Sequence, residues 1–146
     1  MLIAPTAVLP EGYTIPMVAL DQIAELLHAH PEHPPTQLQA DPAKIITEMT
    51  LLQCFHGASR ATELEEKLDQ VQTQTLVVFG TADRVVPPAM GRIYRERMPN
   101  CHYIMIYDAG HMIAAERPEA LTITLADFLA LREIFIVSRR DGRINP

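Results

Sequence analysis

The stretch LVVFGTADRVVP, residues 76–87, decides the fold. Together with Thr75, its first four residues make a continuous apolar, largely β-branched run that stops at Gly80. Such a run suits a strand buried on both faces of a parallel sheet, where no side faces water and no polar alternation is needed. Pro87 and Pro88 then open a helix in which Met90, Ile93, Tyr94 and Arg97 follow at three- and four-residue steps. HYIMIY (102–107) is the next strand, closed by Asp108, Ala109 and Gly110. Pro118 begins a long helix with Leu121, Leu125, Phe128 and Leu129 along one face. Strand, helix, strand, helix with short connections predicts a parallel α/β sheet.

The chain upstream has a different texture. MLIAPTA (1–7) reads as a first, fully apolar strand, halted at Pro5 because proline cannot continue a ladder. From Val8 to about Gln70, prolines at 10, 16, 31, 34, 35 and 42 punctuate helix-like pieces. One lies within Pro16 to His30, with Leu20, Ile23 and Leu27 at helical spacing. A second starts at Asp41-Pro42 and buries Ile45, Met49 and Leu52. A third, Ala61 to Leu68, carries four charged residues and reads as a solvated connector. The resulting organisation is a first strand (1–7), a helical lid or cap (8–72), an α/β core (73–133) and an unplaced tail (134–146).

Composition narrows the function. The 146 residues are a single-domain length, and 12 basic against 18 acidic residues leave a net charge of −6 with no basic block, which argues against a nucleic-acid or anionic-membrane surface. No apolar run has the roughly 20 residues needed to span a bilayer, and the start has no secretion leader, so the expected location is cytoplasmic. Cys54 and Cys101, the two cysteines, read as free thiols.

In a parallel sheet, polar residues just past the carboxyl ends of neighbouring strands converge on one crevice. Asp83 stands three positions after Gly80, and His111 follows Gly110. If the two strands are neighbours, a carboxylate and an imidazole meet there. The carboxylate would accept Nδ1–H and fix the tautomer, leaving Nε2 as a general base.

These residues resemble the α/β-hydrolase fold family, whose last third runs strand, G-x-x-D-x-x-x-P, helix, strand, G-H, acidic residue, proline, helix. Here the elements read LVVFGTADRVVP (76–87) and YDAGHMIAAERPEAL (107–121). APTAVLP (4–10) is similar to the family's strand-to-lid junction, and the proline-punctuated helices to its variable cap. The resemblance implies a partial α/β-hydrolase fold of about three parallel strands, flanking helices and a helical lid, with Asp83 and His111 in the acid and base positions of a catalytic triad. It also implies a hydrolase of an ester, epoxide or C–C bond in a small apolar molecule, with a serine or aspartate nucleophile, no metal and no organic cofactor.

The family's nucleophile elbow and oxyanion loop precede these elements in chain order, and neither is found among the 146 residues. Ser59 and Ser138, the candidate hydroxyls, lack a strand-turn-helix setting with glycines on both sides, and His56-Gly57 reads as a helix end stopped by glycine. The expectation is therefore a C-terminal hydrolase portion that is inactive alone and that pairs either with itself, as a homodimer, or with a complementing N-terminal hydrolase half. A non-catalytic dimerising module is one alternative, and Met1 as an internal methionine of a longer hydrolase is another.

Blander readings accompany the other conspicuous residues. Arg84 reads as a solvated or loop-bracing residue rather than a substrate clamp. Glu116 is either a hydrogen-bonding partner for the loop around His111 or, more simply, a carboxylate favoured at the start of the Pro118 helix by its macrodipole. His28, His30 and His33, near Glu25 and Glu32, read as wet lid surface rather than a metal site. Met17, Met49, Met90, Met98, Met105 and Met112 read as core filler, with Met112 the one that could instead line an apolar pocket.

Overall fold

A computed structural model describes residues 1–9, 11–16, 18–33, 43, 47 and 62–131 of the chain. Three strands, β1 (Leu2–Ile3), β2 (Thr75–Gly80) and β3 (Cys101–Ile106), form a parallel sheet in that order. Leu2 lies opposite Val77, and Thr75 opposite Cys101 through to Gly80 opposite Ile106.

All six residues of β2 are buried, the outcome its unbroken apolar run requires. Period-two alternation divides them between two layers. Val77 and Phe79 join Tyr103, Val8, Leu9, Leu68, Val85, Val86, Tyr94 and Met98 on one face. Leu76 and Val78 join Ala4, Ile104, Ile106, Ala109, Ile113 and Leu121 on the other. Burying each large aliphatic or aromatic side chain contributes about 1.5–3 kcal/mol, so the central strand holds both layers together.

The flanking helices are α1 (Ile23–Leu27), α2 (Thr62–Glu66), α3 (Gly91–Arg97), α4 (Ile113–Glu116) and α5 (Pro118–Leu131). Helix α3 links β2 to β3 and buries Tyr94 against the first layer, where Gly91 lets the Tyr103 ring lie directly on the helix. Helix α5 presses Leu121, Leu125 and Phe128 onto the second layer.

Several expectations change in detail. The first strand keeps two residues rather than seven, because Ala4 takes a left-handed φ of 42° and turns the chain out of the ladder just before Pro5. The helix expected within Pro16 to His30 is confined to a 3₁₀ turn, Leu20–Gln22, and α1. Leu129 is 71% exposed, at the margin of the face that buries Leu121. The connector at 61–68 is only partly solvated, since Leu68 enters the core and Glu65 is buried beside Arg97 at 3.5 Å. Met90, Met98 and Met105 do fill the core, whereas Met112 is exposed. Of the helix expected from Asp41-Pro42, only Ala43 and Thr47 are described, both helical. Its apolar stripe, Met17, Cys54, His56-Gly57, Ser59, Ser138 and the 134–146 tail lie outside the described residues. Among those described, no helix is long and apolar enough to cross a membrane.

Candidate active site

The carboxyl ends of β2 and β3 bring their loops together edge to edge. Thr81 N donates to Ile106 O at 3.0 Å, Ala82 N to Ala109 O at 2.9 Å, and Asp108 N to Thr81 Oγ1 at 2.9 Å. Gly80 permits this approach, because a Cβ there would sit 2.2 Å from Ala109 O. Asp108 makes the tight turn at the end of β3 with a φ of 56°, a conformation that aspartate tolerates better than most residues.

These contacts bring Asp83 and His111 together as the strand ends suggest. Asp83 Oδ2 lies 3.0 Å from His111 Nδ1. The other carboxylate oxygen, Oδ1, accepts from Val85 N at 2.9 Å and Val86 N at 3.0 Å. The Asp83 side chain is fully buried and that of His111 is 19% exposed. The acid is thus held rigidly, while the imidazole keeps one edge towards solvent. A carboxylate in this position selects the tautomer with the proton on Nδ1 and leaves Nε2 free to take a proton.

Residues of the expected lid brace both loops. Tyr13 Oη donates to Val85 O at 2.9 Å, and burial, followed by the nearby Asp83 charge, raises the Tyr13 phenol above its ordinary value. Arg84 donates to Glu25 O at 2.7 Å and to His28 O at 2.9 Å, the bracing one of the two roles read from sequence. His30 Nε2 meets Asp108 Oδ1 at 2.7 Å, and Arg117 donates to Asp108 O and also pairs with its carboxylate. The hydrogen bond to Asp108 is the main cause raising the His30 imidazole above its ordinary value. That same bond is the main cause lowering the Asp108 carboxyl.

Two readings are corrected here. His28 is buried, at 1% exposure, rather than on a wet surface, because residues 27–29 pack directly against Gly110. Glu116 faces Gly110 N, at 2.6 Å, instead of the first turn of α5, so hydrogen bonding to the His111 loop and not the macrodipole accounts for its position. Tyr13 carried no signal, standing in a loop without periodicity. Among the described residues, no group of three or more His, Cys, Asp or Glu is arranged to hold a metal ion.

The α/β-hydrolase family model described as "TAP-like protein" matches residues 46–134, more than half of the chain. The chain belongs to the α/β-hydrolase family. It is similar to the Mycobacterium tuberculosis protein named as a non-heme bromoperoxidase, BpoC, with 45% identity over 56 residues, 38% of this chain and 21% of that protein. It is also similar to a pimeloyl-[acyl-carrier protein] methyl ester esterase of Neisseria meningitidis, with 28% identity over 89 residues, 61% of this chain and 34% of the esterase. In three dimensions it matches a meta-cleavage product hydrolase from Pseudomonas fluorescens IP01 with a TM-score of 0.59. That match covers 88% of this chain and 54% of the hydrolase at 13% identity, a likeness of fold alone. The matched segments span 21% and 34% of the lengths of these two curated relatives.

Proposed function

We propose that this α/β-hydrolase family chain supplies the acid and base of a hydrolytic active site. The carrying observation is the Asp83–His111 pair, with Oδ2 to Nδ1 at 3.0 Å and the second carboxylate oxygen anchored by two backbone amides. In this reading His111 Nε2 takes a proton from the nucleophile or from water, and Asp83 stabilises the imidazolium that forms.

The nucleophile, a serine or an aspartate, and the oxyanion-hole amides come from a nucleophile-bearing half that complements this chain. The substrate is an ester, epoxide or C–C bond in a small, largely apolar molecule. Two features support that class: Met112, the residue after His111, is exposed, and a relative is named as a methyl ester esterase. The chemistry needs no metal or organic cofactor. Without the nucleophile and oxyanion donors the chain is inactive, since a single such donor is worth on the order of 10²- to 10³-fold in rate.

A p-nitrophenyl ester assay tests this reading. The chain alone should be silent, and mixing or linking it with a nucleophile-bearing half should produce turnover that His111→Ala lowers by on the order of 10⁴-fold. Turnover by the pure chain that survives His111→Ala would overturn the assignment.

The edge strand favours a second reading, a non-catalytic module that dimerises. Leu2 and Ile3 in β1 are 36% and 39% exposed, and an apolar strand edge seeks a pairing partner. A stable monomer in size-exclusion chromatography at micromolar concentration and below would eliminate the homodimer.

A further inference from the structure

One carboxylate joins the segment at 27–29 to the loop that carries His111. Glu116 Oε2 accepts from Gly110 N at 2.6 Å, and Oε1 accepts from Ala29 N at 2.7 Å. Around this knot the chains are in close contact. A Cβ on Gly110 would lie 2.7 Å from both Ala29 N and Leu27 O, and Met112 N donates to Leu27 O at 3.2 Å. The His28 ring stands 3.7 Å from Glu116 Oε1, fully buried, with neither ring nitrogen hydrogen-bonded. The Glu116 side chain is itself only 9% exposed.

We infer that Glu116 is a positioning residue for His111, joining the backbone immediately before the imidazole to the segment at 27–29. This rests on the proposed catalytic role of the Asp83–His111 pair. A carboxylate can accept at both oxygens, so it can receive two amides that point towards each other from different segments. A carboxamide of the same shape would turn an NH₂ group towards one of them. The His28 ring, lying beside the carboxylate, keeps water from it, and hydrogen bonds to a charged acceptor strengthen when water is excluded. Fixing Gly110 N fixes the path of the chain into residue 111, and so the direction in which Nδ1 points. Displacing residues 27–29 would release one side of the knot and let the imidazole swing from Asp83.

The test is nuclear magnetic resonance on the intact chain, reading the His111 Nδ1–H proton and the amide protons of Ala29, Gly110, Val85 and Val86. In the wild type the imidazole proton should be shifted downfield and protected from exchange, and Asp83→Asn should abolish it. Glu116→Gln should speed exchange of that proton, and of the Ala29 and Gly110 amides, by about tenfold or more, the factor expected for losing a hydrogen bond to a charged acceptor. Val85 and Val86 amide exchange should stay as in the wild type. Glu116→Asp, which keeps the charge but cannot reach both amides, should act in the same direction and serves if Glu116→Gln does not fold. Faster exchange at Ala29 and Gly110 with an unchanged His111 proton would make Glu116 merely structural and overturn the inference alone. A wild-type imidazole proton indifferent to Asp83→Asn would instead overturn the catalytic reading beneath it.

Discussion

Replacing Gly80 with alanine tests whether the meeting of the two strand ends builds the site. The added Cβ would stand 2.2 Å from Ala109 O, 2.4 Å from Gly110 O and 2.6 Å from Ala109 C, all of them backbone atoms that no rotamer change can move aside. An ordinary carbon-to-oxygen contact is about 3.3 Å, so the 109–110 segment must retreat by about 1 Å. The Ala82 N to Ala109 O bond, now 2.9 Å, would then exceed hydrogen-bonding reach. Overpacking costs about 1–3 kcal/mol and the lost backbone bond about 1 kcal/mol, together about 2–4 kcal/mol. Urea unfolding followed by circular dichroism should show that loss with an unchanged m-value. Because His111 follows directly on the displaced segment, the Asp83–His111 bond of 3.0 Å should open as well. Gly12→Ala is the control: nothing lies within 4 Å of its Cβ, and its φ of 74° should cost only about 1–2 kcal/mol in left-handed strain. A Gly80→Ala protein within about 0.5 kcal/mol of wild type, with the His111 proton still protected, would refute the reasoning.

Three further outcomes follow from the same geometry. Asp83→Ala strips acceptors from Val85 N, Val86 N and His111, and should cost about 3 kcal/mol in urea unfolding; Asp83→Asn, whose oxygen can still take both amides, should cost less than half of that, and equal losses would contradict the anchoring. The His30–Asp108 contact should depend on pH in a defined window. His30 is raised above its ordinary 6.5, so its contribution is complete below that pH and fades as pH climbs through the higher folded value. Asp108 is lowered below its ordinary 3.8, so its contribution is complete above that pH and fades as pH falls through the lower folded value. Amide exchange at residues 28–33, corrected for intrinsic rates, should therefore be slowest between about pH 4 and 6.5 and faster at pH 8, whereas a flat profile would remove the contact from solution. Burial pushes the Cys101 thiol up to about 11, so peptide mapping should find it alkylated by iodoacetamide at pH 8 on the order of 100-fold more slowly than a free cysteine.

The core and the Asp83–His111 contact were legible because each rests on a local pattern. An unbroken β-branched run ending at Gly80 has one economical home, a central parallel strand, and β2 occupies it. Asp83 and His111 lie within five residues of their strand ends, too short a tether to carry them away from the crevice. The segment upstream of β2 and the contacts it makes were less legible. His28 looked solvated because it stands among histidines and prolines, yet it is buried by Gly110, a residue more than 80 positions away. Glu116 looked like a helix-start carboxylate because helix α5 is near in sequence, while its partners are Gly110 N and Ala29 N. Leu129 fitted a helical stripe but lies at the margin of the face that the sheet covers.

Period and spacing, which act over a few residues, were enough to determine the parallel α/β core, the family resemblance and the two side chains that face each other at its carboxyl edge. Tertiary structure alone decided what holds those side chains in place: Tyr13 on the acid loop, Arg84 under residues 25 and 28, and Glu116 between Gly110 and Ala29. The physical reason is that each of these is a hydrogen bond between segments distant in sequence or to a backbone group. Backbone amides and carbonyls are the same at every residue, so their partners have no sequence signature until the chain is folded.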